Sequence, residues 1–327
     1  MITTITLNAA VDKTYEVRKL TLDHVHRAER MIAQPGGKGI NVARVAAALG
    51  AEVIVSGFVG GFSGRWIEAE VERLGLAADF VHVSAESRTT VTLMDPEFGS
   101  QTEIREPGPP ISTAEAESMV EKVRDLAQRS RVIVFSGSLP RGVPPDYYRV
   151  LVHTANEAGT VVVLDTSGEA LVKGLNAGPY MIKPNEEELA DLGVALERPR
   201  EGDAEELARV AGKLVEAGIP LVVISLGANG LVAVTEEGAW VVQPPRLVTV
   251  NTVGCGDALI GGCVAVFDQA LKKVTGGRTR LDSSTILEAL RLGTASAASA
   301  ARFPCAGQID LAQTVQFVRE VSLRPLR

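Results

Sequence analysis

From about residue 36 onward the chain alternates short, unbroken β-branched runs with stretches of helical periodicity. The runs at 52–55, 132–135, 161–164, 181–182 and 221–224 show no in-and-out alternation, the pattern of strands covered on both faces. Between them apolar residues recur at helical spacing. One such stretch, 40–49, closes at Gly50; another, Ile67, Val71 and Leu74, opens after Ser63 and closes at Gly75. Ser112 with Glu115, and Asp203 with Glu206, have the spacing of capping boxes at two more helix starts. This rhythm predicts an α/β fold with a mostly parallel central sheet, right-handed crossovers and helices on both faces. Two segments, 12–35 and 88–106, break it and are too polar for central strands. They predict a small β-sheet lid inserted into a single domain spanning 1–327, with ordinary edge hairpins as the alternative.

Charge narrows what such a fold could bind. The 327 residues carry 33 Lys+Arg against 40 Asp+Glu, a formal net charge of −7, with no long basic block. Nucleic acids and anionic membranes need clustered cations, so neither partner is expected, and an anionic small molecule must be met by a few local cations. Three cysteines, Cys255, Cys263 and Cys305, are too few and too unevenly spaced for a disulfide framework or a zinc site. That usage suits the reducing cytoplasm. Neither a secretory leader nor an apolar stretch of the roughly 18 residues a bilayer requires is expected.

Nucleotide-binding α/β chains commonly show G-x-x-x-x-G-K-[ST] or an early G-x-G-x-x-G. Here Lys38 follows Gly37, but Gly39 stands where Ser or Thr would bind magnesium and Ile32 where the first glycine belongs. In NTVGCGDALIGG, Leu259 stands where a third glycine would be needed. That late segment, 251–262, is nonetheless the richest in chemistry. A β-leaning run at 247–250 meets Gly254-Cys255-Gly256, and an apolar helix over 258–267 follows at once. The glycines let successive N–H groups converge at a helix N-terminus, forming an anion hole. Asp257 beside it is either a helix cap or something more reactive. A second loop, with Gly36, Gly37 and Gly39, opens an amphipathic helix carrying Lys38 and Asn41 in its first turn. It either merely turns the chain or brings backbone close to a ligand. In KPNEEEL, 183–189, Asn185 and Glu188 have the spacing of a helix cap and equally of a pair holding hydrated magnesium.

GGKGINVA early, KPNEEEL midway and NTVGCGD late, in that order and over essentially the whole chain, resemble the ribokinase-like sugar kinases of the PfkB family. NAAVDKTY from Asn8, GFVGGFSG, QTEIREPGP and SGSLPRGV are similar more narrowly to the branch that phosphorylates sugar phosphates. Within it 1-phosphofructokinases stand first, and tagatose-6-phosphate kinases and 6-phosphofructokinases compete. The resemblance implies ATP and Mg2+, and a ketohexose phosphate as substrate, first of all fructose 1-phosphate converted to fructose 1,6-bisphosphate. It implies Asp257 as general base, with the backbone N–H groups of Gly254, Cys255, Gly256 and Asp257 stabilising the moving phosphoryl. Asp12, Gly37 and Asn41 match ligands of sugar hydroxyls. Lys38, Arg88 and Arg105, with Ser138 nearby, match the surroundings of the substrate's own phosphate.

By the same resemblance Lys183 falls near the nucleotide phosphates, and Asn185 with Glu188 in the magnesium region, through water. Ser225, Gly227 and Gly230 fall in the adenosine pocket with 293–301, where Gly293, Ala295 and Ala298 suit close helix packing equally well. A homodimer through the lid is also implied. The chain departs from the family's pattern at Ala9, Asn251, Cys255 and Ala258. A thiol at a helix start, as at Cys255, can be acidified and oxidisable; a small filler in the place of Ala is the plainer reading. From another class, a sugar-phosphate-binding regulatory protein could keep the fold, but it has no need of Asp257.

Overall fold

A computed structural model describes residues 1–192, 203–273 and 281–326. Its main sheet has 11 strands. In spatial order they run Ser322–Pro325, Gly238–Gln243, Leu231–Thr235, Leu221–Ser225, Met181–Ile182, Val161–Asp165, Val132–Ser136, Ile2–Thr6, Val53–Gly60 and Ala77–Ala78, with Val81–Val83 also on Val53–Gly60. From Leu221–Ser225 to the Ala77–Ala78 edge every pairing is parallel, while the three strands on the other side of Leu221–Ser225 pair antiparallel. All the apolar runs read from the sequence lie in this sheet. Ile2–Thr6, which no sequence pattern singled out, takes a central place and is buried along its whole length. The run at 247–250 is not a strand; Val250 and Asn251 instead donate their N–H groups to the Ala301 carbonyl, at 2.8 and 3.1 Å.

Each face of the sheet has its own apolar core. One gathers side chains of Lys38–Ala48, Gly61–Arg73, Cys255–Leu271 and Ser283–Ala300. The other gathers Thr113–Arg129, Tyr147–Glu157, Gly168–Leu175 and Ala204–Glu216. Ser112 and Glu115 form the full capping box, whereas Asp203 caps the Glu206 N–H alone. Gly61–Arg73 opens two residues earlier than Ser63, because the Glu86 carboxylate arrives from outside and accepts from Phe62 and Ser63 N–H at 3.0 and 2.6 Å. Cys255–Leu271 and Ser283–Ala300 pack through glycine on glycine, since a Cβ on Gly262 would stand 2.6 Å from Gly293 Cα. Gly293 is thus a close-packing position in this structure.

A second sheet of four strands runs Arg30–Gly36, Ala10–Glu16, Arg88–Asp95, Ser100–Arg105, with its middle pair parallel. It is built from the two polar segments that interrupt the alternation. Among the described residues no helix is long and apolar enough to cross a membrane, and the three cysteines are free.

Candidate active site

The carboxyl ends of the central strands meet two helix starts. Gly37, at a φ of 120°, caps Lys38–Ala48, and a Cβ there would stand 2.5 Å from Thr6 Cγ2. Residues three apart share a helix face, so Lys38, Asn41 and Arg44 form one stripe. Lys38 Nζ lies 3.2 Å from Asp165 Oδ2, and Asn41 Nδ2 donates to Asp257 Oδ2 at 2.8 Å. Asp165 ends its strand only 1 % exposed, and its other oxygen faces Lys183 Nζ at 3.4 Å. Burial works to protonate this carboxyl, but Lys183 and Lys38 prevail and hold it below the usual aspartate range. Lys38 is in turn held above the usual lysine value by Asp165, with burial opposing and Asp257 and Glu188 adding.

Asp257 sits in the first turn of Cys255–Leu271, 5 % exposed. Gly254 caps that helix in the left-handed region, at a φ of 82°. Gly256 lies against the lysine end: a Cβ there would come within 3.1 Å of Lys183 Nζ. The Cys255 N–H is already committed to the Thr252 carbonyl at 3.3 Å. Among the described residues the N–H groups of Gly254, Gly256 and Asp257 have no acceptor; Gly256 and Asp257 lie in the first turn of the helix, two donors left there for an anion with the Lys183 ammonium alongside. Burial lifts the Asp257 carboxyl to about 7, Asp165 adding, while Lys38, Asn41 and Lys183 pull the other way. The Cys255 thiol is pushed up to about 11 by burial and by Asp257, which opposes the acidified thiol a helix start can produce.

The small sheet supplies a second cluster. Asp12, Thr90 and Arg105 stand level on three adjacent strands, with Arg88 two residues from Thr90 on the same face. The Asp12 carboxylate packs on bare backbone, since a Cβ on Gly36 would fall 2.0 Å from its Oδ2. Burial raises Asp12 to about 6; Arg88, Thr90 and Arg105 counter this, and Glu103 reinforces it. Arg88 Nε donates to the Asn8 carbonyl at 3.1 Å, and Asn8 Nδ2 donates to Ser138 Oγ at 3.1 Å. Arg105 is bound to Glu103 at 2.7 Å.

On the remaining side, Asn185 and Glu188 hold each other's backbone. The Asn185 N–H donates to Glu188 Oε2 at 3.0 Å and the Glu188 N–H to Asn185 Oδ1 at 2.7 Å, a reciprocal cap. Asn185 bridges to Ser225, whose N–H donates to the Pro184 carbonyl at 3.0 Å. Gly227 and Gly230 bound a single turn, and Gly230 also has a packing reason, for a Cβ there would meet the Val242 carbonyl at 2.0 Å.

Lys38, Asn41, Lys183, Gly256 and Asp257 are therefore linked by direct contacts, while Asp12, Arg88 and Arg105 gather on the small sheet. Asp165 joins two of the sequence motifs and was not among the expected residues. Its signal was available: an aspartate closing the apolar run VVVLD at the carboxyl end of a strand, where α/β sheets place their ligands.

Residues 3–306 match the pfkB family of carbohydrate kinases. Phosphofructokinase-2 from Escherichia coli, solved in complex with potassium, is 25 % identical with a TM-score of 0.87, over 98 % of each chain. A possible 1-phosphofructokinase from Thermotoga maritima is 26 % identical with a TM-score of 0.86, over 100 % of each. Ribokinase from Giardia lamblia, 19 % identical with a TM-score of 0.79 over 96 % of this chain and 98 % of its own, shares the fold.

Proposed function

The chain belongs to the pfkB family of carbohydrate kinases, and from that premise we propose that it uses ATP and Mg2+ to phosphorylate a ketohexose phosphate, first of all fructose 1-phosphate at its 6-hydroxyl. The observation that carries this reading is the buried Asp257 carboxylate beside two uncommitted N–H donors and a lysine. A carboxyl near neutrality suits a base that takes the proton of an acceptor hydroxyl. Asn41 fixes Asp257 Oδ2, leaving Oδ1 for the hydroxyl. As the proton moves to Asp257, the hydroxyl oxygen attacks the γ-phosphorus, the bond from that phosphorus to the β–γ bridging oxygen breaks and ADP leaves; charge on the transferring phosphoryl falls to the Gly256 and Asp257 N–H groups at the Gly254–Cys255 turn. Lys183 faces the nucleotide phosphates, and Ser225, Gly227 and Gly230 border the base.

Asp12 and the Gly37 backbone receive sugar hydroxyls. Asn41 spends one of its two amide N–H donors on Asp257 and keeps the other for a sugar hydroxyl. The substrate's phosphate is met by Lys38, Arg88 and Arg105, near Ser138. Arg105 must leave Glu103 to reach it. An exposed ion pair is worth about 0–1 kcal/mol, whereas a bond to a charged phosphate contributes about 1.5–3 kcal/mol, so the exchange favours the ligand. Closing two arginines over the sugar excludes water, which would otherwise hydrolyse ATP.

Mg2+ fits the donors on the nucleotide side. Glu188 uses one carboxylate oxygen in its cap and keeps the other, the outer-sphere contact an ion carried by phosphates and water accepts. When bound, the ion neutralises charge on the phosphate oxygens. The support for a 1-phosphofructokinase is the resemblance of NAAVDKTY, QTEIREPGP and SGSLPRGV to that branch, together with the Thermotoga maritima relative. The same reading places the enzyme in the cytoplasm as a homodimer.

Side-by-side kcat/KM values on fructose 1-phosphate, tagatose 6-phosphate and fructose 6-phosphate test the substrate. Fructose 1-phosphate is expected to lead, and a clear preference for either other sugar reassigns it. Asp257→Asn is expected to lower kcat by about 10²–10⁴-fold while sparing ligand binding. Binding of the sugars with no turnover by the unaltered protein would mark a regulatory sugar-phosphate binder instead.

A further inference from the structure

Arg44 shares the helical stripe of Lys38 and Asn41, yet the reaction above makes no use of it. Its Nη1 donates to Gln34 Oε1 at 3.2 Å and to the Ala306 carbonyl at 2.9 Å. Gln34 lies on the small-sheet strand Arg30–Gly36, directly across from Asp12. Ala306 lies in the loop that backs the anion hole: a Cβ on Gly254 would stand 2.5 Å from Ala306 Cβ. Next along, Gly307 is wedged against the helix, where a Cβ would stand 3.0 Å from Asn41 Oδ1 and 3.2 Å from Arg44 Cδ. One guanidinium therefore touches the sheet that carries Asp12 and the loop that shapes the Gly254 turn.

The choice of side chain is costly for mere anchoring. Burial lowers the Arg44 pKa, with Cys305 and Asp12 opposing, and among the described residues no carboxylate forms an ion pair with it. Both acceptors are neutral and lie on different elements. A rigid fork of donors can span them, which an apolar side chain of the same volume cannot.

We propose that Arg44 is a positioning residue that couples sugar-phosphate binding at the small sheet to nucleotide binding at the anion hole, by tying Arg30–Gly36 to the 303–309 loop. The ligands in this proposal rest on the kinase reading above. If closing the sheet onto a sugar pulls Gln34, the strain passes through Arg44 to the Ala306 carbonyl and so to Gly254. By linkage the effect is reciprocal: each ligand tightens the other by the same factor.

The test titrates fructose 1-phosphate calorimetrically into the unaltered protein, Arg44→Met and Arg44→Lys, each with and without the ATP analogue AMPPNP and Mg2+. Methionine keeps an unbranched stem and removes the donors; lysine restores one donor nitrogen without the fixed fork. The ratio of the two Kd values is expected to be at least about fivefold in the unaltered protein, below about twofold in Arg44→Met and intermediate in Arg44→Lys. In ligand-free Arg44→Met, amide exchange is expected to quicken in both Arg30–Gly36 and 303–309 but not in Val132–Ser136. A ratio unchanged by Arg44→Met, or no ratio in the unaltered protein, overturns the proposal, because a merely structural arginine would alter stability without altering the ratio. If the unaltered protein binds none of fructose 1-phosphate, fructose 6-phosphate and tagatose 6-phosphate, the substrate reading fails separately. The exchange measurement then decides: quickening in both segments together sustains the tie, and quickening in one or neither overturns it.

Discussion

At the scale of single residues, the site trades stability for chemistry. Asp257 is raised from an ordinary aspartate value of 3.8 to about 7, so the folded protein binds that proton more tightly than the unfolded chain. Stability from this group is complete below the free value and is lost as pH rises through the folded one. Asp257→Asn removes the buried charge, and is expected to raise Tm by about 2–4 °C at pH 8 and by much less at pH 5. Calorimetric melts at the two pH values check the sign; an equal or negative change at pH 8 contradicts it. In the proposed reaction activity runs the opposite way, since only an ionised Asp257 could accept the proton, and log kcat/KM should fall with unit slope as pH drops below about 7. Gly36 gives a second test. A Cβ 2.0 Å from Asp12 Oδ2 must displace the carboxylate, so Gly36→Ala is expected to raise KM for the sugar at least about tenfold while the Kd for ATP stays within twofold. Glycines and charges stood out in the sequence because they sit in polar loops. Asp165 did not, because a single aspartate at the end of a buried run reads as the residue after a strand, and only the three-dimensional meeting of Lys38 and Lys183 gives it a partner.

At the scale of elements, legibility followed burial pattern. Val161–Asp165 and Leu221–Ser225 were readable as strands covered on both faces, because unbroken aliphatic runs admit few other environments. Ile2–Thr6 occupies the same environment with three threonines; Thr3 Oγ1 shares a 2.7 Å hydrogen bond with Ser130 Oγ, while among the described residues the buried hydroxyls of Thr4 and Thr6 have no partner. Hydroxyls there conceal a central strand from any reading of hydrophobicity. The Asn185–Glu188 pair shows the converse, a pattern with two readings whose geometry realises the cap and leaves one oxygen over. Glu188→Gln separates the roles, since glutamine keeps an acceptor for the Asn185 N–H but loses the charge. It is expected to change stability by no more than about 0.5 kcal/mol and to raise the Mg2+ concentration for half-maximal rate several-fold, whereas Asn185→Ala costs about 1 kcal/mol as a lost cap. A Mg2+ dependence untouched by Glu188→Gln removes that side chain from the ion's surroundings.

For the whole molecule, a net charge of −7 proves compatible with anionic ligands because the cations are concentrated. Lys38, Lys183, Arg88 and Arg105 line the proposed site; the two lysines share the single negative charge of Asp165, and Arg105 is paired with Glu103. The small sheet, however, has two faces, and its site face accounts for only one. Strand alternation turns Met31 and Ile104 to the face opposite Asp12, where they are 53 % and 56 % exposed. Leu22 and Val25, in the segment joining the first two strands of that sheet, are 90 % and 99 % exposed. Exposed apolar groups on this sheet and on the segment beside it are unfavourable in water, and a second copy presenting the same surface under a twofold axis would bury them. Sedimentation is accordingly expected to show a dimer at micromolar concentration, with Val25→Asp combined with Ile104→Glu shifting it to monomer. Because the same sheet carries Asp12, Arg88 and Arg105, the monomer should retain nucleotide affinity but lose sugar affinity, with KM for fructose 1-phosphate rising about tenfold or more as the sheet loses its support. A monomeric unaltered protein excludes the dimer outright, and a monomeric variant with unchanged KM shows that the sheet needs no partner to close.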